Sequence, residues 1–371
     1  MATTTKPGET ERGAEPRHGF SLTSYRKELG IFGLLLAVCI MTTLKNHDFL
    51  GADNLQNLAR LIGIYGIYSI GAGIAIITSG IDLSVGSVFA LEGVLLSMVL
   101  TEHNWPAALA VLAMIALCMA LGLIHGLLIT RVPLQPFIVT LCGLLFYRGL
   151  ARFISGDATK GFGEGTGFEG LINLATGSLL GIKGHYTLFG SYHFWMYKGL
   201  TITTGNGIPM PFLVMLLIAA VMWVVLHRSV YGRYLYAVGR NEEAARYSGI
   251  DSRAILTSAY VVAGLLTGIA GILLAFYTNS ISPSSHGNSY ELYGIAAAVL
   301  GGCSLRGGEG SVVGILIGTA LLQVLQNLVN LLGIPSSLNF AVIGAVILLG
   351  VVADEVMKKR NSAVKTRETS A

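Results

Sequence analysis

The sequence predicts an all-α polytopic membrane protein of about ten transmembrane helices with both termini cytoplasmic, and three observations predict it. Mean hydropathy is +0.67, with 53% hydrophobic and 12% charged residues, roughly half the charge share of a soluble domain. The 48 glycines fit helices that pack backbone to backbone in a membrane. The basic residues cluster in alternate loops, which orients the spans. A net charge of +4 is too small to suggest a nucleic-acid partner.

Residues 1–28 are polar and are expected to form a cytoplasmic tail. The apolar run Leu29 to Leu44 closes on Met41-Thr42-Thr43-Leu44-Lys45 with no small-residue cleavage site, so it reads as a retained first span. Further runs at 58–79, 84–100, 105–130, 134–155, 210–227, 254–277, 311–331 and 337–353 are long enough for a bilayer. A tenth, 290–304, is short, reaching about 22 Å as a helix. The membrane domain is therefore expected over 29–353, with a cytoplasmic tail at 354–371.

Lys and Arg accumulate in cytoplasmic loops. With Lys6, Arg12, Arg17, Arg26 and Lys27 inside, ten spans also put inside Arg131, the arginines 228, 233, 240, 246 and 253, Arg306, and the tail's Lys358, Lys359, Arg360, Lys365 and Arg367. That is 17 of the 24 basic residues. Lys45, Lys160, Lys183 and Lys198 fall outside, and Arg60, Arg148 and Arg152 sit near outer span ends where a long side chain snorkels.

The outer insertion 156–209 carries 13 glycines and the aromatic row Phe189, Tyr192, Phe194, Trp195 and Tyr197. It reads as a poorly packed insertion with an interfacial anchor, or as a docking surface for an external partner. The stretch 86-GSVFALEGVLL-96 is echoed 224 positions later by 310-GSVVGILIGTALL-322. Each follows a glycine-containing break, and both breaks are expected on the same side, which suggests a parallel internal repeat with broken helices.

Chemistry-bearing residues are few. No phosphate-cradling P-loop, zinc motif or nucleophile elbow occurs, and Cys39, Cys118, Cys142 and Cys303 lie apart in apolar runs. The chain is therefore not expected to be an enzyme, to hold a metal or cofactor, or to bind ATP itself. Asp82 and Glu92 are the only charges between Arg60 and Glu102. The orientation count puts Gly80-Ile81-Asp82 at the cytoplasmic end of two spans, where Gly80 closes one helix and Asp82 caps the next by accepting the N–H of Ser84 or Val85. Glu92, two turns into its span, faces protein or water, as a structural carboxyl or a pathway residue. Gln323, Asn327 and Asn330 recur at i, i+4 and i+7, for pore lining or interhelical hydrogen bonds. His125 reads as a packing residue.

In the basic loop 228–253, Glu243-Ala244-Ala245 and Gly249 spell a short helix ended by glycine, with Asp251 or Ser252 capping the next one. Such a surface helix fits a groove on a separate ATPase.

With 80-GIDLSVGS-87, 136-PFIVTL-141, 147-YRG-149, 237-AVGRNEEAARYSGI-250, 300-LGGCSLRGGEGSVVG-314, 330-NLLGI-334 and Asp354 in order, the chain resembles the permeases of bacterial ATP-binding-cassette monosaccharide importers, the ribose, xylose, arabinose and galactofuranose group. The resemblance spans roughly residues 29–354. It implies an inner-membrane homo- or heterodimer of permeases, a cytoplasmic ATPase subunit that binds the ATP, and a periplasmic binding protein that delivers sugar. It also implies a coupling role for Glu243, Ala244, Ala245 and Gly249, and a translocation or gate role for Gly80, Asp82, Ser84, Gly86, Glu92, Gln323, Asn327 and Asn330. Three departures stand out: a longer outer insertion, Leu328 where the family commonly has glycine, and Glu92 at a place usually uncharged. Competing readings are an ion-coupled secondary transporter using Asp82 and Glu92, or a permease for a branched-chain amino acid, nucleoside or furanone.

Overall fold

A computed structural model of the chain describes residues 26–163, 167–179, 202–203 and 207–335, with isolated positions at 338, 341, 344, 345 and 348. The aromatic row 189–197, both tails and nearly all of the span expected at 337–353 lie outside the described residues.

The elements follow the hydropathy closely. They are α1 (Arg26–Lys45), a 3₁₀ turn (His47–Leu50), α2 (Ala52–Ile77), α3 (Val85–Thr101), α4 (Ala107–Arg131), α5 (Pro136–Ser155), α6 (Glu169–Thr176), α7 (Met210–His227), α8 (Val230–Arg240), α9 (Glu242–Tyr247), α10 (Ser252–Thr278), α11 (Tyr290–Leu300) and α12 (Val312–Leu331). Three two-residue strands, β1 (Ser178–Leu179), β2 (Ile202–Thr203) and β3 (Ile208–Pro209), pair antiparallel in the order β2-β1-β3. Among the described residues seven helices are long and apolar enough to cross a membrane, namely α1, α2, α4, α5, α7, α10 and α12, and α3 and α11 are shorter apolar helices.

Burial sorts these helices into a centre and a rim. In the apolar window of α2 83% of residues are buried, against 11% in α1. Helices α2, α10 and α12 form the centre, and α1, α4, α5 and α7 turn apolar side chains outward. Small residues let rim and central helices approach. Between α4 and α10, a Cβ on Gly126 would lie 2.7 Å from Thr257 Cα, and one on Gly268 would lie 3.0 Å from Cys118 Cβ. Gly122 and Gly264 meet backbone carbonyls in the same way. Such contacts are the means by which membrane helices associate without a hydrophobic drive between them.

The chain breaks helical structure twice at the end of the bundle that carries α8 and α9. At the first break Ser79, with φ +63°, takes the left-handed position that ends α2, while Gly80 N–H donates to Ala75 O at 2.8 Å. Gly80 is thus not the left-handed residue expected; it is small because a Cβ there would collide with the Tyr260 hydroxyl. The second break, 301–311, lies beside the first: Gly308 N–H donates to Ile77 O at 2.8 Å.

Overpacking a tight site typically costs about 1–3 kcal/mol, and more where backbone must move. Gly264→Val in the α4–α10 seam is expected to lower the thermal unfolding midpoint of the purified protein by several degrees, whereas Gly30→Ala, with open space around it, leaves it unchanged.

Candidate translocation and coupling site

Beyond Ser79 the chain runs without helix to Ser84, and this stretch turns back into the bundle. Thr140 donates to Ile81 O at 3.0 Å. Asp82 is 8% exposed and accepts both the N–H of Ser84, at 2.8 Å, and its hydroxyl, at 2.6 Å. The expected bond from Ser84 N–H to Asp82 is present, but Ser84 itself is the N-cap of α3, so Asp82 holds the cap residue rather than capping the helix. A cavity of about 10 Å³, room for roughly one water, is lined by Asp82, Ser84, Cys118, Gly122, His125 and Thr267. Cys118 lies near the middle of α4, and its neighbour Gly264 is about 18 Å along α10. The expected position of Asp82 at the helix ends is thus corrected. The turn at Ser79 marks the end of the bundle, and the extended residues carry Asp82 inward from it. His125, 3% exposed, has its Nε2 2.8 Å from the Tyr147 hydroxyl, a partnered packing residue.

Glu92 is fully buried. Neither oxygen has a conventional hydrogen-bond partner, and the Cys118 thiol lies beside the carboxyl. Gly271 of α10 leaves the space it occupies, since a Cβ there would strike the carboxyl, and Gly268 lies alongside.

A second non-helical stretch, 279–289, re-enters from the opposite end. Ile281 pairs with Lys160 and packs at the level of Gly93. Six residues later Gly287 meets Gly86 so closely that a Cβ on Gly86 would strike its carbonyl. Arg148 of α5 ties this crossing together. Its Nη1 donates to His286 O at 2.6 Å and Pro283 O at 3.3 Å, and its Nη2 to Gly86 O at 3.0 Å. The Glu291 carboxylate, 8% exposed, stands against Gly86 and acts on Arg148 through its charge. Arg148 therefore does not snorkel. Arg60 does not either: it donates to Thr176 O at 2.8 Å and lies over the Tyr277 ring. Arg152, at the α5 terminus, pairs with Asp157 at 2.6 Å. The signal for the clamp was in the sequence, an arginine in an apolar helix inside Tyr147-Arg148-Gly149, but nothing there named its carbonyl acceptors.

The polar row on α12 does not share one environment. Gln323 is 2% exposed, with both amide atoms unpartnered. Asn327 exchanges hydrogen bonds with Asn54 of α2, at 2.6 and 3.2 Å, and Asn330 is exposed. The interhelical role left open for such amides is the one Asn327 takes.

At the α8–α9 end, Asn241 caps α9 by accepting Ala244 N–H at 2.9 Å. Gly249, φ +84°, takes the left-handed turn after it, and Asp251 caps α10 through Ala254 N–H at 3.1 Å. Ala245 packs inward with Val238 and Leu256, while Glu243 and Ala244 are exposed and Tyr247 is 80% exposed. Helix α8, unforeseen in the basic loop, leads into this turn. Its Gly239 carbonyl lies 2.7 Å from the Ser79 hydroxyl, which also reaches Arg306 O at 3.0 Å, and Tyr236 donates to Gly310 O at 2.9 Å. Both breaks are thereby bound to the helix that precedes α9.

The model of the family described as the branched-chain amino acid transport system permease component matches residues 54–351. The chain belongs to that permease family. This permease is 38% identical to the ribose import permease of Bacillus subtilis, over 88% of this chain and 92% of that protein. It is 36% identical to the ribose import permease of Escherichia coli K12, over 93% and 98%. With the xylose transport system permease of Escherichia coli K12 identity is 29%, over 96% and 99%. No solved structure matches the chain.

Because Asp82 serves Ser84 as an acceptor, Asp82→Asn, whose side-chain oxygen accepts the same bonds, is expected to keep most uptake, and Asp82→Leu to abolish it. Equal loss in both, measured by radiolabelled-solute uptake, would show that the charge itself is required.

Proposed function

We propose that this permease is the inner-membrane subunit of a bacterial ATP-binding-cassette importer for a monosaccharide. The observation that carries the reading is near full-length similarity, at 36–38% identity, to proteins named as ribose import permeases. A separate cytoplasmic ATPase would supply the energy, a periplasmic binding protein the sugar, and a second permease copy, the same or different, the other half of the membrane unit. In this reading the α8–α9 end faces the cytoplasm, in line with the arginines gathered there.

The coupling step follows from the local geometry. Helix α9 offers an exposed, capped surface whose buried side, Ala245, rests on α8 and α10. A push on α9 reaches α8 through the single residue Asn241. From Gly239 it passes to Ser79 and Arg306, and so to both glycine breaks. Closure of the ATPases would thus shift the stretches 80–87 and 301–311 together. Of the two carboxylates an ion-coupled carrier would use, Glu92 is sealed beside Cys118 and Gly271, and Asp82 is occupied in holding the N–H and hydroxyl of Ser84.

Two outcomes test this. Proteoliposomes holding the permease, its ATPase and its binding protein are expected to accumulate ribose or xylose only with ATP inside, and uptake driven by an ion gradient alone would overturn the reading. Glu243→Lys is expected to leave assembly and ATP hydrolysis in place while cutting uptake at least tenfold; uptake at the normal rate would refute α9 as the coupling element.

A further inference from the structure

Non-helical backbone at membrane depth is tolerated only where it is buried in protein or lines water, because hydrocarbon offers no hydrogen-bond partners. The re-entrant stretch 279–289 meets that rule on one side and not on the other. Its inner side is tied down: Pro283 and His286 give their carbonyls to Arg148, and Gly287 rests on Gly86 and Phe89. Its other side turns Ser284, Ser285 and Asn288 outward, all three exposed. These residues are not at the membrane edge. Gly86 is fifteen residues from the end of α3 at Thr101, about 22 Å along the helix, and Arg148 lies well inside α5, with Phe153 and Ser155 beyond it. Two left-handed residues, Gly287 and Ser289, with φ +67° each, hold the tip in a series of turns whose bonds close locally, as in His286 N–H to Ser282 O at 2.8 Å and Asn288 N–H to Ser285 O at 3.0 Å.

We infer that the outward side of 284–288 lines the water-filled path taken by the solute. The surface is made of two hydroxyls and an amide, with a third hydroxyl, Ser282, 3.2 Å from that of Ser284. No charged side chain stands on it, since within 282–289 only Ser, Pro, His, Gly and Asn occur and His286 is buried. Hydroxyl and amide groups pair with the hydroxyls of an uncharged polyol as both donors and acceptors. The path itself follows from depth and exposure; the chemical class of its solute rests on the monosaccharide reading.

Hydrophilic thiol labelling tests this. In a Cys142→Ser background, which removes the exposed native thiol, Ser284→Cys, Ser285→Cys and Asn288→Cys are made in the complete importer in vesicles, with Leu217→Cys on the outward face of α7 as the lipid-facing control. Methanethiosulfonate ethyltrimethylammonium is expected to modify the three positions at least tenfold faster than residue 217, either without nucleotide or with ATP trapped, and to block uptake. Labelling no faster than at 217 in both states overturns the inference. So does efficient oxidative cross-linking of these positions between two copies, which would make the surface a copy contact. Fast labelling that ribose and xylose fail to slow leaves the path standing and overturns the monosaccharide reading alone.

Discussion

A chain that interrupts its helices inside a bilayer must satisfy every freed N–H and C=O from within the protein, and each one left bare costs several kcal/mol. In this permease one place where that demand falls is the crossing of Gly86 and Gly287 under the guanidinium of Arg148. Arginine suits the task because its planar fork presents several donors at once, and here they reach three carbonyls on two different segments. Much else follows. The glycines are needed because backbone touches backbone there. Glu291 is needed because a guanidinium so placed calls for an opposite charge nearby. Helix α3 runs from the crossing toward one end and α11 toward the other, which is why both are short, at 17 and 11 residues.

The α8–α9 end obeys a different logic, that of a joint. Ser79 holds a left-handed backbone that a non-glycine residue adopts at some energetic expense, and it is kept there by carbonyls from two other segments. Gly307 and Gly308 are left-handed as well, and Gly308 reaches back to Ile77. Such a knot transmits displacement because none of its members is free to relax alone: moving Gly239 drags Ser79, and Ser79 is the last residue before the stretch that carries Asp82. The bonds are few and mostly single, so the arrangement is stiff in position yet exchangeable.

Hydropathy made the helices legible. Nine of the ten expected segments coincide with helices, because a run of apolar residues long enough for a bilayer has little other use. The errors have physical causes. The expected start of α2 at Leu58 came too late, because its first turns carry Asp53, Asn54, Gln56 and Asn57. These polar groups are taken up by partners far away in sequence, as when Asn54 pairs with Asn327 and Asn57 accepts from Tyr277. Helix α8 hid in the basic loop because its apolar residues, among them Leu235 and Val238, face inward while its arginines face out. Asp82 lies deeper than a loop at a membrane face would put it, because extended backbone covers about 3.3 Å per residue and carries the chain after Ser79 into the bundle. The Asp251 cap and the bond from Ser84 N–H to Asp82 were legible in kind, since such contacts are local and the sequence holds all their parts.

On the proposed reading the distribution of charge fits a neutral cargo. Asp82, Glu92, Arg148 and Glu291 all lie between the helix ends, and each is turned inward: Asp82 onto Ser84, Arg148 onto carbonyls with Glu291 beside it, Glu92 into the gap left by Gly271. Charges at that depth are costly and pair with one another or with backbone groups, which is what Asp82, Arg148 and Glu291 do. Here the groups left open at that depth are the hydroxyls and amide of Ser284, Ser285 and Asn288. Such groups make modest, exchangeable hydrogen bonds of about 1 kcal/mol each, so a solute passing them is guided without being held. On the proposed reading that balance is what an importer needs of its membrane subunit, because the binding protein supplies the tight and selective step, and a second strong site along the path would only slow release.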